Sequence, residues 1–249
     1  MEQIRTLGAL EMELVRSFAS AIGVSLSDEA VARLLRHANS MLEWNERAGL
    51  TTITEPAEVA TKHIADSLAC LLAVDRTAWS RWSVIDIGTG QGYPGLALHA
   101  VLSPARMTLV ESSMRKSEFL AHVVRECGYE NITVATARAE DLARQPQHRG
   151  AYDVALARAV AELATLVEIC LPFLCLGGML LAPKSREVAD EIRQAQGALR
   201  LLGGVVEQTV EYSLPGIEQP RSIVVVRKTK ESPDRYPRRA GIPAKRPLR

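Results

Sequence analysis

Between Val84 and Gly95 an apolar run breaks into alternate glycines, Gly88-Thr89-Gly90-Gln91-Gly92, and then resumes through Tyr93, Pro94 and Gly95 with helical spacing. Glycines at these positions leave out side chains where a strand must turn tightly and let a ligand approach its backbone. The helix that follows offers unpaired amide hydrogens at its first turn. Three alternate glycines weaken a chain unless something occupies the turn they make, so a purely structural turn is the poorer reading. The segment therefore constrains the chain to a strand–turn–helix unit that opens an α/β sheet with a nucleotide cofactor at its end.

Two cofactors suit that unit. Counted from Gly90, the spacing Gly90-x-Gly92-x-x-Gly95 meets the dinucleotide fingerprint, with the acid Glu111 roughly 20 residues on, where a ribose-binding carboxylate belongs. Counted from Gly88, the segment is Asp86-x-Gly88-x-Gly90-x-Gly92, with an acid on the strand itself. A carboxylate there attracts the sulfonium and ammonium of S-adenosylmethionine and repels the phosphates of NAD. S-adenosylmethionine is the favoured tenant, and an NAD-dependent dehydrogenase is the competing reading.

The hydrophobic pattern divides the chain into residues 1–80, 81–229 and 230–249. The first part has helical periodicity. Leu10, Leu14, Val15 and Phe18 share one face, and Val31, Leu34, Leu35, Ala38, Met41 and Leu42 share another, entered at Ser27-Asp28 and stopped at Gly49. A third helix starts near Pro56 and runs through Ile64, Leu68 and Leu71.

From residue 82 short apolar runs at 83–88, 106–111, 131–135, 152–157 and 178–182 alternate with helices at 94–102, 114–127, 162–174 and 187–202. The third of these helices is expected to close at Gly177-Gly178 and the fourth at Gly203-Gly204. Such alternation implies a parallel sheet covered on both faces. Val205–Tyr212 and Ser222–Arg227 have no helix between them, so an antiparallel hairpin closes the sheet, which then has seven strands. The expected fold is a Rossmann-like α/β domain, mostly parallel, with a helical amino-terminal extension.

Open α/β sheets bind ligands beyond the carboxyl ends of their strands. After the second strand comes Glu111, whose two oxygens suit a pair of ribose hydroxyls, although it also neighbours a helix start at Ser112-Ser113. Ala137-Arg138-Ala139-Glu140-Asp141 follows the third strand, where an adenine would be met. An acidic helix start explains those residues almost as well. Arg158 emerges from the apolar fourth strand and needs a partner, which is either a ligand or one of Asp86, Glu111 and Glu140. Pro183-Lys184-Ser185 places a second cation on the same rim, a pair suited to an anionic substrate such as RNA. His63, Asp66 and Ser67 do not make a hydrolase triad, because they crowd onto one helix and no Gly-x-Ser-x-Gly elbow is present.

Net charge is +1, yet residues 227–249 carry +7 and the remainder −6. Such a concentration binds phosphate backbones, and it is equally what a solvated disordered tail looks like. Cys70, Cys127, Cys170 and Cys175 form no Cys-x-x-Cys pair and read as buried thiols. His37, His63, His99, His122 and His148 have no zinc spacing, so no metal is expected. With no apolar run long enough to span a membrane and no signal-peptide core, a cytoplasmic location is expected.

Taken jointly, Trp44-Asn45, Leu50 to Thr54, Lys62 to Leu68, Gly88 to Gly95, Ala137 to Glu140, Gly177-Gly178 and Arg235-Tyr236-Pro237-Arg238-Arg239 resemble the bacterial small-subunit ribosomal RNA guanine-N7 methyltransferases, also called glucose-inhibited division protein B. The resemblance covers nearly the whole chain. It implies a class I methyltransferase fold, S-adenosylmethionine as donor, and as acceptor a guanine of the 530 loop in 16S rRNA, free or in the 30S subunit, met by a monomer. Carried over by motif, cofactor contacts fall on Gly88, Tyr93, Ala139, Glu140 and Arg158, with Glu111 as the ribose acid, and Asp86, Gly90 and Gly92 at the same turn are expected to bind the cofactor with them. RNA contacts fall on Lys184, Arg235, Arg238 and Arg239. The roles of His63 and Asp66 stay open, with the lining of a base pocket as one of them. Thr89, Gln91, Tyr93 and Ser185 depart from the family pattern. Tyr93 keeps an aromatic wall, and Ser185 bears on how Lys184 is held.

Guanine N7 has a free lone pair, so its methylation requires no general base, and no catalytic residue is expected beyond positioning by Arg158 and Lys184. An RNA-binding ribosome-assembly factor with a vestigial cofactor fold is the non-enzymatic alternative. Titration separates the cofactors: S-adenosylhomocysteine is expected to bind and NADH not to, and the reverse would return the chain to the dehydrogenases.

Overall fold

The computed structural model describes residues 6–184 and 188–248. Its centre is a seven-stranded sheet in the order β3-β2-β1-β4-β5-β7-β6. The strands are β1 (Ser83–Ile87), β2 (Arg106–Glu111), β3 (Ile132–Thr136), β4 (Tyr152–Leu156), β5 (Leu174–Lys184), β6 (Gly204–Tyr212) and β7 (Arg221–Lys228). β1 to β5 are parallel, and β7 lies antiparallel between β5 and β6.

Register decides what reaches the functional edge. Ile87 pairs with Val110 and Glu111 with Thr136, while Asp86 is level with Leu156, so by this register Gly88, Glu111, Thr136 and Arg158 stand at one level at the sheet's edge. Because β7 runs the other way, its first residues meet the last of β5: Lys184 pairs with Ser222, and Tyr212 at the end of β6 pairs with Arg221. The hairpin thus delivers Tyr212 and Arg221 to the same rim as the ends of the parallel strands.

One face of the sheet is covered by α2 (Asp28–Ala48), α5 (Gly95–Val101) and α6 (Met114–Glu126), and α1 (Ala9–Ala21) adds to the same core. Met12, Val15, Leu34 and Met41 from the amino-terminal helices are buried in one cluster with Leu96, Phe119, Leu181 and Val225, so the extension shares the sheet's own core. The other face is covered by α7 (Ala139–Leu142), α8 (Leu163–Cys170), α9 (Ala189–Gln194), α10 (Gln196–Leu202) and α11 (Ile242–Lys245). α2 starts as expected, with Ser27 Oγ accepting from the Ala30 amide at 3.1 Å, and ends at Gly49 with φ 58°.

Three expectations change. The third helix is not one regular helix but α3 (Pro56–Glu58), a π-helical stretch Val59–Ala65, α4 (Asp66–Leu68) and a 3-10 turn Ala69–Ala73. A π stretch keeps apolar side chains buried while adding a residue per turn, which hydrophobic periodicity does not register. Gly177 and Gly178 do not close a helix. α8 stops at Cys170, a 3-10 turn Leu171–Phe173 follows, and both glycines lie inside β5, where a Cβ at Gly178 would sit 3.0 Å from the Asp153 carbonyl oxygen. The helix expected over 187–202 is two, divided at Ala195. Its first residue and Ser185 lie outside the described residues.

Gly203 closes α10 at φ 80°, and a Cβ there would meet the Lys230 carbonyl oxygen at 2.2 Å, whereas one at Gly49 would meet nothing within 4 Å. Gly49→Ala is expected to cost only the left-handed backbone penalty of about 1 kcal/mol. Gly203→Ala should cost at least about 3 kcal/mol because the tail backbone must also move. Urea unfolding of the two variants checks the difference, and equal losses would contradict this account of the tail's close approach.

Candidate active site

The turn after β1 is held from behind by its own acid. Asp86 is fully buried, and its Oδ2 accepts from Thr89 Oγ1 at 2.6 Å and from the Gly95 amide at 2.9 Å, fastening the two ends of the glycine segment together. A Cβ at Gly95 would come 2.7 Å from that oxygen, which is why the position is glycine. Burial pushes the Asp86 carboxyl up to about 6, against the opposing pull of the Thr89 and Gly95 hydrogen bonds, and among the described residues its Oδ1 has no partner. The acid expected to attract a cationic ligand thus faces the protein, behind the turn.

Gly88, Gly90 and Gly92 all have positive φ, at 66°, 60° and 96°. Gly88 bares its backbone beneath Val160, whose Cγ2 would be 2.8 Å from an added Cβ. Gly92 is closed in by Leu96 and His37. Glu111 is buried at the next strand end, its Oε2 accepting from the Gly90 amide at 3.1 Å and its Oε1 from Ser113 at 2.7 Å. It therefore ties the first turn to the second, the helix-start role and the turn-shaping role being combined in one carboxylate.

Two cavities meet at Gly88, Val160 and Ala161 to form one crevice. The smaller, about 220 Å³, is lined by Ile87, Val110, Ala137, Ala139, Glu140 and residues of the tail. The larger, about 690 Å³, is walled by His63, Asp66, Tyr93, Arg158, Lys184 and Arg221. Between β4 and the crevice Ala159 takes φ 57°, a conformation that L residues avoid, and the chain there turns Val160 over Gly88.

The wall of the larger cavity is a stack. Tyr93 lies between His37, 4.4 Å away at 16°, and His63, 5.1 Å away at 8°, with the Arg158 guanidinium 5.7 Å from its ring centre. His37 Nε2 donates to the Gln91 carbonyl at 2.7 Å. Arg158 can only donate, so His63 Nδ1, 3.4 Å from it, accepts, and Nε2 donates to Thr51 Oγ1 at 3.1 Å. Burial lowers the pKa of His37 to about 4, the Gln91 carbonyl opposing it. Burial, followed by the charges of Arg158, His37 and Lys62, lowers that of His63 to about 3. Both rings are neutral at pH 7.

Asp66, 2% exposed, holds this wall to the sheet. Its Oδ2 accepts from Arg158 at 2.9 Å, and its Oδ1 from Arg221 at 3.0 Å and from the Tyr212 hydroxyl at 2.8 Å. The partner of Arg158 is accordingly Asp66, together with the Lys62 carbonyl at 2.9 Å, and none of Asp86, Glu111 and Glu140. Lys184 donates to the Ala161 carbonyl at 2.9 Å and pairs with Glu191, so the second rim cation is also neutralised within the fold. In the tail, Arg238 grips the buried Glu168, while Arg235 and Arg239 are exposed. Cys70, Cys127 and Cys170 are buried free thiols and Cys175 is half-buried, and among the described residues no cluster of ligating side chains could hold a metal ion.

The sequence reading missed the three-ring stack, Tyr212 and Arg221. Lys62 to Leu68 had carried a signal, through the resemblance, but that segment offers no periodicity that announces a π turn placing His63 and Asp66 into the crevice.

The residues present fit a nucleoside-bearing sulfonium donor: a bared backbone at Gly88, a narrow compartment with apolar walls and one carboxylate, and a wider compartment beside it. The model of the rRNA small subunit methyltransferase G family matches residues 30–222. The chain belongs to that family. It is 41% identical to the ribosomal RNA small subunit methyltransferase G of Roseiflexus sp. strain RS-1, over 95% of this chain and 100% of the relative. It is 45% identical to that of Roseiflexus castenholzii, over 95% and 99%. Among solved structures, the cyclase SpnF superposes with a TM-score of 0.52 at 18% identity, covering 66% of this chain and 82% of its own. A ribosomal protein L11 methylase of Lactobacillus delbrueckii subsp. bulgaricus gives 0.50 at 16%, covering 66% and 78%. These two show the fold only. Membership makes the chain an S-adenosylmethionine-dependent methyltransferase, and the dinucleotide spacing is set aside: Gly95 is small to admit Asp86, with no pyrophosphate required to explain it.

The neutral histidines set a pH dependence. A histidine whose folded pKa is lowered contributes stability that is present above its unfolded value of 6.5 and is lost as pH falls towards its folded value, by about 1.4 kcal/mol per pH unit. Asp86, raised from 3.8 to about 6, acts oppositely: its contribution is full below 3.8 and is lost as pH rises through about 6. His37→Phe keeps a ring against Tyr93 and removes one titration, so its unfolding free energy between about pH 6 and 4.5 should fall less steeply than the parent's, by about 1.4 kcal/mol per unit. Parallel stability profiles would show that His37 is not buried neutral.

Proposed function

We propose that this protein transfers the methyl group of S-adenosylmethionine to N7 of a guanine in the 530 loop of 16S rRNA. The observation that carries the reading is the absence of a spare base: among the described residues, the Tyr93 hydroxyl has no partner but burial pushes it up and keeps it protonated, and the other buried titratable groups of the larger cavity are already committed. Asp66 is taken by two guanidiniums and a phenol, His63 is pushed down to about 3, and Lys184 is held by Glu191. A ring nitrogen with a free lone pair is an acceptor that such a site can serve, whereas methylating an amino or hydroxyl group would need a proton removed.

When bound, S-adenosylmethionine would supply an electrophilic methyl on a cationic sulfur, and its transfer to N7, with S-adenosylhomocysteine as leaving group, would require no proton to be removed from the base. The chain's part is positional. Gly88 admits the ligand to the backbone, Ala139 and Glu140 bound the nucleoside compartment, and the flat Tyr93 ring, fixed between two neutral imidazoles, limits where the reacting groups can lie. Holding the histidines neutral keeps further positive charge away from a base that is itself becoming cationic.

On this reading the acceptor is 16S rRNA, free or within the 30S particle, reached in the cytoplasm. The protein acts as a monomer on the same reading. Exposed Arg235 and Arg239 and the rim of the larger cavity are the phosphate contacts.

Mass spectrometry of 16S rRNA from cells with and without the gene tests the reading, with one 7-methylguanine expected to vanish on deletion. In vitro, Gly88→Arg should reduce methyl transfer by more than a hundredfold while salt-sensitive RNA binding persists. A variant that modifies RNA as well as the parent would refute this placement of the donor.

A further inference from the structure

The tail is not a loose basic arm. Arg238 binds Glu168 through Nε at 2.8 Å and Nη2, and its backbone amide donates to the same carboxylate at 2.9 Å. Glu168 lies on α8 with no exposure, and among the described residues Arg238 is the cation that answers it. A carboxylate this deeply buried has its charge compensated only when the tail is docked. From the sheet side, Arg149 donates to the carbonyls of Tyr236 at 2.8 Å and Ser232 at 2.9 Å, and Thr165 Oγ1 to that of Pro243 at 3.2 Å.

Past this anchor the chain reaches the smaller cavity. Gly241 and Ala244 line it opposite Val110 and Ala139, and the Gly241 amide donates to Glu140 Oε1 at 2.8 Å. Glu140 is thus oriented by the tail, which also contributes Gly241 and, from α11, Ala244 to the lining of the compartment.

We propose that the segment Tyr236–Lys245 is a wall of the cofactor site and grips the adenine end of S-adenosylmethionine, with Arg238 as its positioning residue and Ala244 as a contact. The proposal rests on the reading of the crevice as the donor site. Its chemistry suits a flat heteroaromatic ring with an exocyclic amine: small apolar side chains on two sides and one fixed carboxylate. Ligand binding and docking of the tail are then coupled, each stabilising the other. The cost of freeing Arg238 appears in cofactor affinity even though Arg238 does not line the cavity.

Calorimetric titration with S-adenosylhomocysteine decides the matter. Ala244→Trp fills the compartment from the wall without touching the Arg238–Glu168 anchor, and Arg238→Gln releases the wall. Each is expected to raise the Kd at least tenfold, and Ala244→Trp to do so with its thermal unfolding unchanged. In the parent, backbone amide exchange over residues 241–245 should slow when the ligand is added. Parent-like affinity in a folded Ala244→Trp protein, with no slowing of exchange over 241–245, would overturn the wall while leaving the donor site standing. A parent that binds no S-adenosylhomocysteine would overturn the donor site itself and the wall with it. Should Arg238→Gln fail to fold, Ala244→Trp and the exchange measurement still give the answer.

Discussion

A single buried carboxylate ties together four parts of the chain that the sheet and its core bring to one rim. Asp66 comes from a short α turn after a π-helical stretch, Arg158 from the end of a parallel strand, and Tyr212 and Arg221 from the two strands of the terminal hairpin. Two cations around one acid leave local charge in excess by one, so the acid is the member whose loss would be most damaging: both guanidiniums would keep their positions in a partly desolvated wall with nothing to balance them. The antiparallel hairpin is essential here. A seventh strand parallel to β5 would carry Arg221 to the opposite edge of the sheet.

Fixing Asp66 also fixes what stands three residues earlier. His63 is brought flat against Tyr93, which His37 holds from the other side, so helix α2, the π stretch and the glycine turn all terminate on one aromatic ring. The arrangement is apolar at its centre and polar at its ends, with each histidine donating to a neighbouring oxygen. Protonating His63 would place a third positive charge beside Arg158, and the energetic preference for a neutral ring is therefore part of the same electrostatic balance that Asp66 controls.

How much of this was legible in the sequence follows from which signals are local. β2 lies at the expected residues 106–111 because an apolar run bounded by polar turns is a property of its own residues, and Gly49 ends α2 because a left-handed stop is too. Gly177-Gly178 misled for the same reason. Glycine pairs commonly close helices, but here Gly178 serves a close approach between β5 and the backbone of Tyr152 and Asp153, and Gly177 takes φ 80° beside it, which only the tertiary structure reveals. Asp86, Gly88 and Glu111 were recognisable as a cluster from spacing alone. That Asp86 faces inward was not, since the attraction of an acid for a cationic ligand and its use as a hydrogen-bond acceptor for Thr89 and Gly95 call for the same residue at the same place. Arg158 needed a partner, and the sequence could supply acids only from its own strand ends. Asp66 came from a helix whose irregular winding has no pattern to read.

The charge of the tail shows how composition can point at the right partner for an incomplete reason. A net +7 over 227–249 suggests a polyelectrolyte arm, yet several of those cations are already paired within the chain: Arg238 on the buried Glu168, Lys228 on the Leu174 carbonyl and Glu231, and Arg227 on Glu207 at the surface of the hairpin. Net charge counts groups without regard to what faces them, so the potential available to a phosphate backbone comes from the exposed remainder, Arg235 and Arg239 among them. The Arg238–Glu168 pair does different work. It holds a chain rich in proline, which cannot build a helix or a strand long enough to dock by itself, onto the face of the sheet where α8 offers a buried acid. Once docked, the same segment carries its exposed cations a few residues from the smaller cavity, so that the tail's free charge and the crevice stand at one edge of the molecule.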